Sequence, residues 1–305
     1  MTGYIIRRLI QAVILVKCVL IFIFLLLHLT GDPVLVMAPE DADEEYIQRL
    51  RKAYGFDKPL LTQYGIFFRK VVKGDFGESF EHGEPALKIF FEHLPATLEL
   101  ALTAFFLSAL IGIPLGIVSA VREKTITDRV CMIGAVLGQA IPNFWLGLMM
   151  ILVFAVYWRM LPSFGREGIA HIVMPAFAAS IYHTARLARL MRSEMLEVLR
   201  QDYIVTARSK GLIENVVLYR HALKNSSIPI VTQAGLDLGI MLGGTVIIET
   251  VFAWPGVGRL TIEAIHNRDF PIVQVSVFML ASMFVFINLA VDILYVYLDP
   301  RIEYQ

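Results

Sequence analysis

Residues 97–121 read Thr97-LELALTAFFLSALIGIPLGIVSA-Val121, with Glu99 the one charged side chain in the stretch. About 20 apolar residues in a row cross the hydrocarbon core of a bilayer as a helix. Backbone N–H and C=O groups find no partner in lipid, so a helix that pairs them internally is the form such a run takes. Working outward, five more runs have comparable length: about 9–29, interrupted by Lys17, then 130–157, 172–191, 228–252 and 272–298. The run at 172–191 is the weakest, because His183, Arg186 and Arg189 enter its second half. The expectation is an all-α integral membrane protein with six transmembrane helices.

Composition agrees. The 305 residues are 57% hydrophobic and 18% charged, and mean hydropathy is +0.65. Soluble domains run at about 45–50% apolar and about 25% charged. That balance excludes a disordered chain, a basic nucleic-acid-binding domain and an ordinary soluble enzyme. Lys and Arg total 27 and so do Asp and Glu, so net charge names no partner. Cys18 and Cys131 both lie in apolar runs and read as small hydrophobes, too few for a disulfide framework. The first run follows Arg7 and Arg8 but is too long for a signal peptide and has no small-x-small site behind it, so it reads as an uncleaved span.

Lys and Arg collect on the cytoplasmic side of short loops. Arg7, Arg8, Arg122, Lys124, Arg129, the long 4–5 connection and Arg301 fall on one side. The short loops on the other side hold only Arg159, Arg166, Arg259 and Arg268. Both termini are therefore expected inside.

Two connections are long. The external one, about 30–96, groups with the first span as one unit, 1–96, ahead of a core unit, 97–305. It reads as an amphipathic helix from about Glu44 to Tyr54, ended by Gly55, and a second one capped by Asp57 with Pro59 in its first turn. The cytoplasmic one is Met195-LEVLRQDYIVTARSKGLIENVVLYRHALKNSSIP-Ile230. It is too polar for lipid and helix-forming on both sides of Gly211, a glycine placed as a left-handed helix stop. Asp202 caps or bends the first limb; the second runs from about Ile213 to Asn225, and Pro229 is expected in the first turn of span five. A helix–Gly–helix elbow at about 195–227 suits either a surface connector or a socket on another protein.

The residues of this elbow carry a resemblance. Ala207-x3-Gly211 looks like the EAA-type motif of ABC importer permeases, and the whole segment resembles their peptide/nickel branch. So do Gly31–Val34, Tyr54–Tyr64, Gly74–Phe80, Leu94–Leu102, Ile111–Val121, Glu249–Gln274 and Asp292–Tyr304. Val205 and Thr206 depart from the generic motif, and Pro229 comes later than it does there. The resemblance implies a type I importer permease, paired with a homologous second permease, two ATP-binding subunits that hold ATP and Mg, and an external solute-binding protein. It implies a bacterial or archaeal cytoplasmic membrane, and short peptides or glutathione as substrate, with nickel or a metal chelate as runner-up. It makes the elbow a coupling helix, contacting an ATPase through Asp202, Tyr203, Thr206, Ala207, Arg208, Lys210, Gly211 and Leu212.

No G-x-x-x-x-G-K-[ST], H-E-x-x-H, G-x-S-x-G or C-x-x-C occurs, so the chain has no ATPase site and no motif for hydrolytic catalysis of its own. The histidines at 28, 82, 93, 171, 183, 221 and 266 read as interfacial or capping residues, with no metal and no cofactor held by the chain. Ionisable groups inside lipid default to functional candidates. Lys17 is expected to meet Asp237 or Asp292. Asp237, Gly239, Gly243, Asn288 and Asp292 are candidates for the translocation path, with helix packing as the competing role of the glycines. Trp254, Pro255, Gly256 and Arg259 are candidates for an outer gate or a binding-protein contact, with Trp254 also read as an interfacial anchor. A stand-alone proton-coupled transporter using Lys17, Asp237 and Asp292 is the rival class.

Overall fold

Long apolar runs leave the backbone one way to satisfy itself, and the computed structural model is built of helices; it describes residues 2–29, 34 and 43–298. Gly31–Pro33, Asp299–Tyr304 and Arg301 of the sequence reading lie outside the described residues. In chain order the helices are α1 (Thr2–Leu29), α2 (Glu44–Tyr54), α3 (Leu60–Val72), α4 (Ala86–Val121), α5 (Ile126–Ala140) and α6 (Asn143–Met150), which continues as a π-helix, Ile151–Tyr157. Then come α7 (Ile169–Leu199), α8 (Asp202–Ser209), α9 (Leu223–Gly244), α10 (Val246–Val251), α11 (Val257–His266) and α12 (Phe270–Leu298).

Three stretches are long and apolar enough to cross a membrane alone: Ile6–Leu25, Ala86–Val121 and Phe270–Ile293. The third expected span is a bent pair. Ile126–Ala140 and Asn143–Tyr157 meet at 100°, where the sequence reading had one span over 130–157. Pro142 disfavours a helical Ile141, which is extended at φ −78°, ψ 123°, and Pro142 itself caps α6. The fourth and fifth expected spans fall on α7 and α9, whose polar side chains make them less apolar. The helix α4 runs unbroken through Ala96, with Pro95 and Pro114 inside it, so the outer connection and the second span share one rod.

The central packing is α4 against α7. Ala101, Ala104, Ser108, Gly112, Gly116 and Ser119 put a buried row of small side chains on α4. Small residues let backbones approach. A Cβ on Gly112 would sit 2.7 Å from the Thr184 carbonyl oxygen, and one on Gly116 would sit 2.6 Å from that of Ala188. On the other side of the bundle, Gly235 faces Val291 and Gly239 faces Phe284 and Ile287, so both seat α9 on α12. Gly243 has open space around it.

Local signals hold at several ends. Asp43 Oδ1 accepts from the Tyr46 amide at 2.7 Å, and Gly55 at φ 74° stops α2. Asp269 Oδ1 accepts from the Ile272 amide at the start of α12. Three caps differ. Pro59, not Asp57, is the residue before α3. Gln201, not Asp202, precedes α8. Pro229 is inside α9, because that helix starts at Leu223 and joins the elbow without a break.

Candidate functional site

The elbow is built from the turn upward. Leu212 N–H donates to the Ala207 carbonyl at 3.4 Å and Gly211 N–H to the Arg208 carbonyl at 2.9 Å. This crossed pair is the Schellman stop, and it needs a left-handed residue at Gly211, which has φ 75°. Ile204 and Ala207 are buried and pack with Met191, Met195, Val217 and Ala222. Burying a side chain such as Ile204 contributes about 1.5–3 kcal/mol. After the turn, Glu214–Val216 leads into a π-helical segment, Val217–Ala222, and then α9. Wide π turns inside helices recur at functional places. Asn225 Nδ2 donates to the Tyr203 hydroxyl at 2.7 Å across the two limbs.

This packing sorts the expected contact residues. Asp202, Tyr203, Thr206, Arg208, Lys210, Gly211 and Leu212 are exposed. Ala207 is not: it faces inward with Ile204 and belongs to the elbow's own core. The sequence reading missed Val205, Ile213 and Tyr219, which are 54%, 73% and 65% exposed. They make an uncovered apolar surface on the elbow. The face of α8 opposite Ile204 and Ala207 was the available signal.

Behind the elbow lies a buried polar cluster. Asp237 is 1% exposed on α9. Arg186 on α7 reaches it with Nη1 at 3.1 Å and donates to Gln233 Oε1 with Nη2 at 3.1 Å. Gln233 Nε2 donates back to Asp237 Oδ1 at 3.0 Å, and His183 Nδ1 stands 3.4 Å from Asp237 Oδ2. Lys17 does not take part: it is exposed on α1, and Asp292 instead pairs with Arg8 at 3.1 Å. The expected Lys17 pairing is thus replaced by two others. The buried carboxylate of Asp237 is met by a guanidinium, whose planar fork suits such a site, while Lys17 stays exposed on α1. The Asn288 Oδ1 is buried without a partner among the described residues.

A second tie braces the same end. Arg192 Nε and Nη2 donate to the two oxygens of Asp128 at 2.7 and 2.8 Å, and Arg200 pairs with Glu123 at 3.1 Å. The arginines that sequence reading used as an orientation signal are thereby also the ties between α7 and its neighbours.

At the opposite end, Trp254 is fully buried and its Nε1 donates to the Ala96 carbonyl at 2.8 Å. It is a core residue, not an interfacial anchor or a surface contact. Gly256 is buried too, against the Glu249 carboxylate, while Pro255 is exposed and Arg259 half-buried. Glu249, which sequence reading passed over, accepts from Thr97 Oγ1 at 2.9 Å, Thr245 Oγ1 at 3.1 Å and the Arg259 amide at 3.1 Å. It ties α4, α10 and the N-terminus of α11 at one point. Its signal was a carboxylate at the end of an apolar run, just before a short helix.

Residues 112–304 match the family model described as binding-protein-dependent transport system inner membrane component, and residues 1–101 match the N-terminal model of such membrane components. The chain is 38% identical to the dipeptide transport system permease protein DppB of Alkalihalophilus pseudofirmus, covering all of both chains. It is 36% identical to the glutathione transport system permease protein GsiC of Escherichia coli K12, again over all of both. Among solved structures, the inward-facing MetNI methionine ABC transporter matches with TM-score 0.57 and 19% identity, over 70% of this chain and 97% of that one. An amino acid ABC transporter with histidines matches with TM-score 0.53 and 17% identity, over 70% of this chain and 94% of that one. Full-length identity to two such permeases, on a helical bundle of the same fold, makes this chain a member of the binding-protein-dependent ABC transporter permease family.

Proposed function

We propose that this chain forms half of the translocation pathway of an ATP-driven importer for short peptides, of the di-/oligopeptide or glutathione type. A homologous second permease supplies the other half. Two ATPase subunits bind ATP and Mg, and an external solute-binding protein delivers the solute. Both termini and the elbow face the cytoplasm. The solute crosses by alternating access, and this chain performs no hydrolysis itself.

The observation that carries the reading is the elbow. It is a rigid helix–turn–helix with a packed inner face and an apolar outer face formed by Tyr203, Val205, Leu212, Ile213 and Tyr219. Closure of two ATPases around ATP can displace such a rigid element and the helices fused to it. The Arg186–Asp237–Gln233 cluster supports it, because it joins α7 to α9, the two long helices on either side of the elbow. In this reading Asp237 and Asn288 line the path, and the half-exposed Arg186, held by Asp237, is the group that would donate to a solute carbonyl or carboxylate. Gly239 serves packing.

Two measurements test this. Solubilised gently from its host, the wild-type chain should retain P-loop ATPases, and Gly211→Arg should lose them. In proteoliposomes holding the whole assembly, dipeptide uptake should require ATP and survive a protonophore. Retention of ATPases by Gly211→Arg would remove the coupling role. Uptake of nickel but not of peptide would move the substrate to the metal branch, and collapse of uptake with the proton gradient would favour the stand-alone class.

A further inference from the structure

Glu81, His82 and Asp269 converge at the end of the bundle opposite the elbow. The first two lie in the loop between α3 and α4, where an isolated bridge between Glu78 and Pro85 folds the chain back on itself. The third is the residue before α12. One nitrogen of His82 and one carboxylate oxygen from each acid lie within 4.8 Å of one another. Donors on one Zn²⁺ ion, each bonded at about 2.0–2.2 Å, sit roughly 3–4 Å apart. Glu81 and His82 are exposed, so small rotations of their side chains cover the difference.

Hydrogen bonds orient the set. Ser79, itself buried, donates its hydroxyl to Asp269 Oδ2, an acceptor-only group. The hydroxyl has one proton, so in its 3.1 Å contact with His82 Nδ1 the ring is the donor. The neutral ring then carries its free lone pair on Nε2. Coordination through Nε2 keeps the Ser79 contact; coordination through Nδ1 displaces it. Asn267 Nδ2 donates to Glu81 Oε2 at 2.7 Å and steadies the exposed acid.

Charge points the same way. Two nearby acids have cations: Glu84 pairs with Lys88 at 3.0 Å and Glu263 with Arg259 at 2.7 Å. Neither Glu81 nor Asp269 forms an ion pair among the described residues. Two carboxylates this close repel each other, and a cation between them reverses the sign. The three groups open into a cleft of about 300 Å³, with room for the waters that complete a coordination shell.

We propose that Glu81, His82 and Asp269 bind a divalent first-row transition cation of the Zn²⁺ class, which clips the α3–α4 loop to the start of α12. One imidazole with two carboxylates suits such an ion better than Ca²⁺ or Mg²⁺, which take oxygen sets. The ion is a tie between two segments and is separate from any solute carried through the bundle. Its histidine is one that the sequence alone had given a capping or interfacial role.

The test uses the full chain in lipid nanodiscs, stripped of metal and titrated calorimetrically with Zn²⁺, then with Ca²⁺. The expected result is one Zn²⁺ per chain, weakened at least tenfold in Glu81→Gln and in His82→Ala. Zn²⁺ should raise the unfolding midpoint of the wild type and not that of the variants. Both substituted residues are exposed, so the metal-free midpoints should stay level and certify folding. Equal Zn²⁺ binding by wild type and the two variants, absence of stoichiometric Zn²⁺ binding, or equally tight binding of Ca²⁺ would each overturn the proposal.

Discussion

Arg208 clasps Glu214 across the Gly211 turn at two points, Nε to Oε2 at 3.2 Å and Nη2 to Oε1 at 2.6 Å. The guanidinium holds the Glu214 carboxyl below its ordinary value. A carboxyl lowered on folding contributes stability above its unfolded pKa, and that contribution fades as pH falls through the lowered folded value. Both side chains are about half exposed, so the pair is worth about 0.2–1 kcal/mol. Thermal unfolding should therefore separate wild type from Glu214→Gln by that amount near neutral pH, and the gap should close in acid. A gap that persists below the carboxylate range would mean that Glu214 acts through something other than its charge.

Gly211 has nothing within 4 Å of where a Cβ would be, so its constraint is conformational and not steric. An L-residue held left-handed costs about 1–2 kcal/mol, least for Asn. Gly211→Asn should retain more ATPase association than Gly211→Ala, and Gly211→Val should retain least. Co-purification yields from parallel preparations give the ranking. Equal yields for Asn and Val would show that backbone handedness is not what the turn requires.

Arg186 is the strong cation on a carboxylate that is 1% exposed. Removing one partner of a buried pair costs about 3–5 kcal/mol, because the other charge is stranded. Arg186→Met should lower the unfolding midpoint accordingly. Adding Asp237→Asn removes the stranded charge and should recover most of the loss. A double variant no more stable than the single one would assign the loss to packing around Arg186.

Two glycines separate crowding from propensity. A Cβ on Gly116 would lie 2.5 Å from Met191 Cβ, and α4 and α7 must part to admit it. Gly116→Ala should cost about 1–3 kcal/mol, as overpacking does. Gly243 has open space, so Gly243→Ala should be neutral or stabilising by about 0.5–1 kcal/mol. Unfolding midpoints of the two variants should move in opposite directions or differ by the full crowding cost.

Local chemistry was legible in the sequence. Capping and periodicity give α2 its observed ends at Glu44 and Tyr54, and one glycine fixes the elbow's turn. Tertiary choices were not. Asp237 had several cations within conceivable reach, and its partner sits 51 residues away on α7. An aromatic residue closing an apolar run reads as an interface anchor; Trp254 is instead buried because a carbonyl on α4, 158 residues earlier, accepts its N–H. Pro142 lies within the run 130–157, but a gentle kink and the observed 100° break differ only in what packs on each limb. Glu81, His82 and Asp269 carry no spacing signal, since the loop and α12 meet only in the fold.

Because the second limb of the elbow flows into α9 without interruption, residues Glu214 to Gly244 form one beam. At about 1.5 Å per residue it is about 45 Å long. Tilting it by about 5° at the elbow sweeps its far tip through about 4 Å, more than the diameter of a water molecule. By leverage alone, a small displacement at the elbow would be several times larger at that tip. Pro229, which lacks the N–H that would pair with Asn225, leaves a weak point within the beam, and any such tilt would be shared between that joint and the tip.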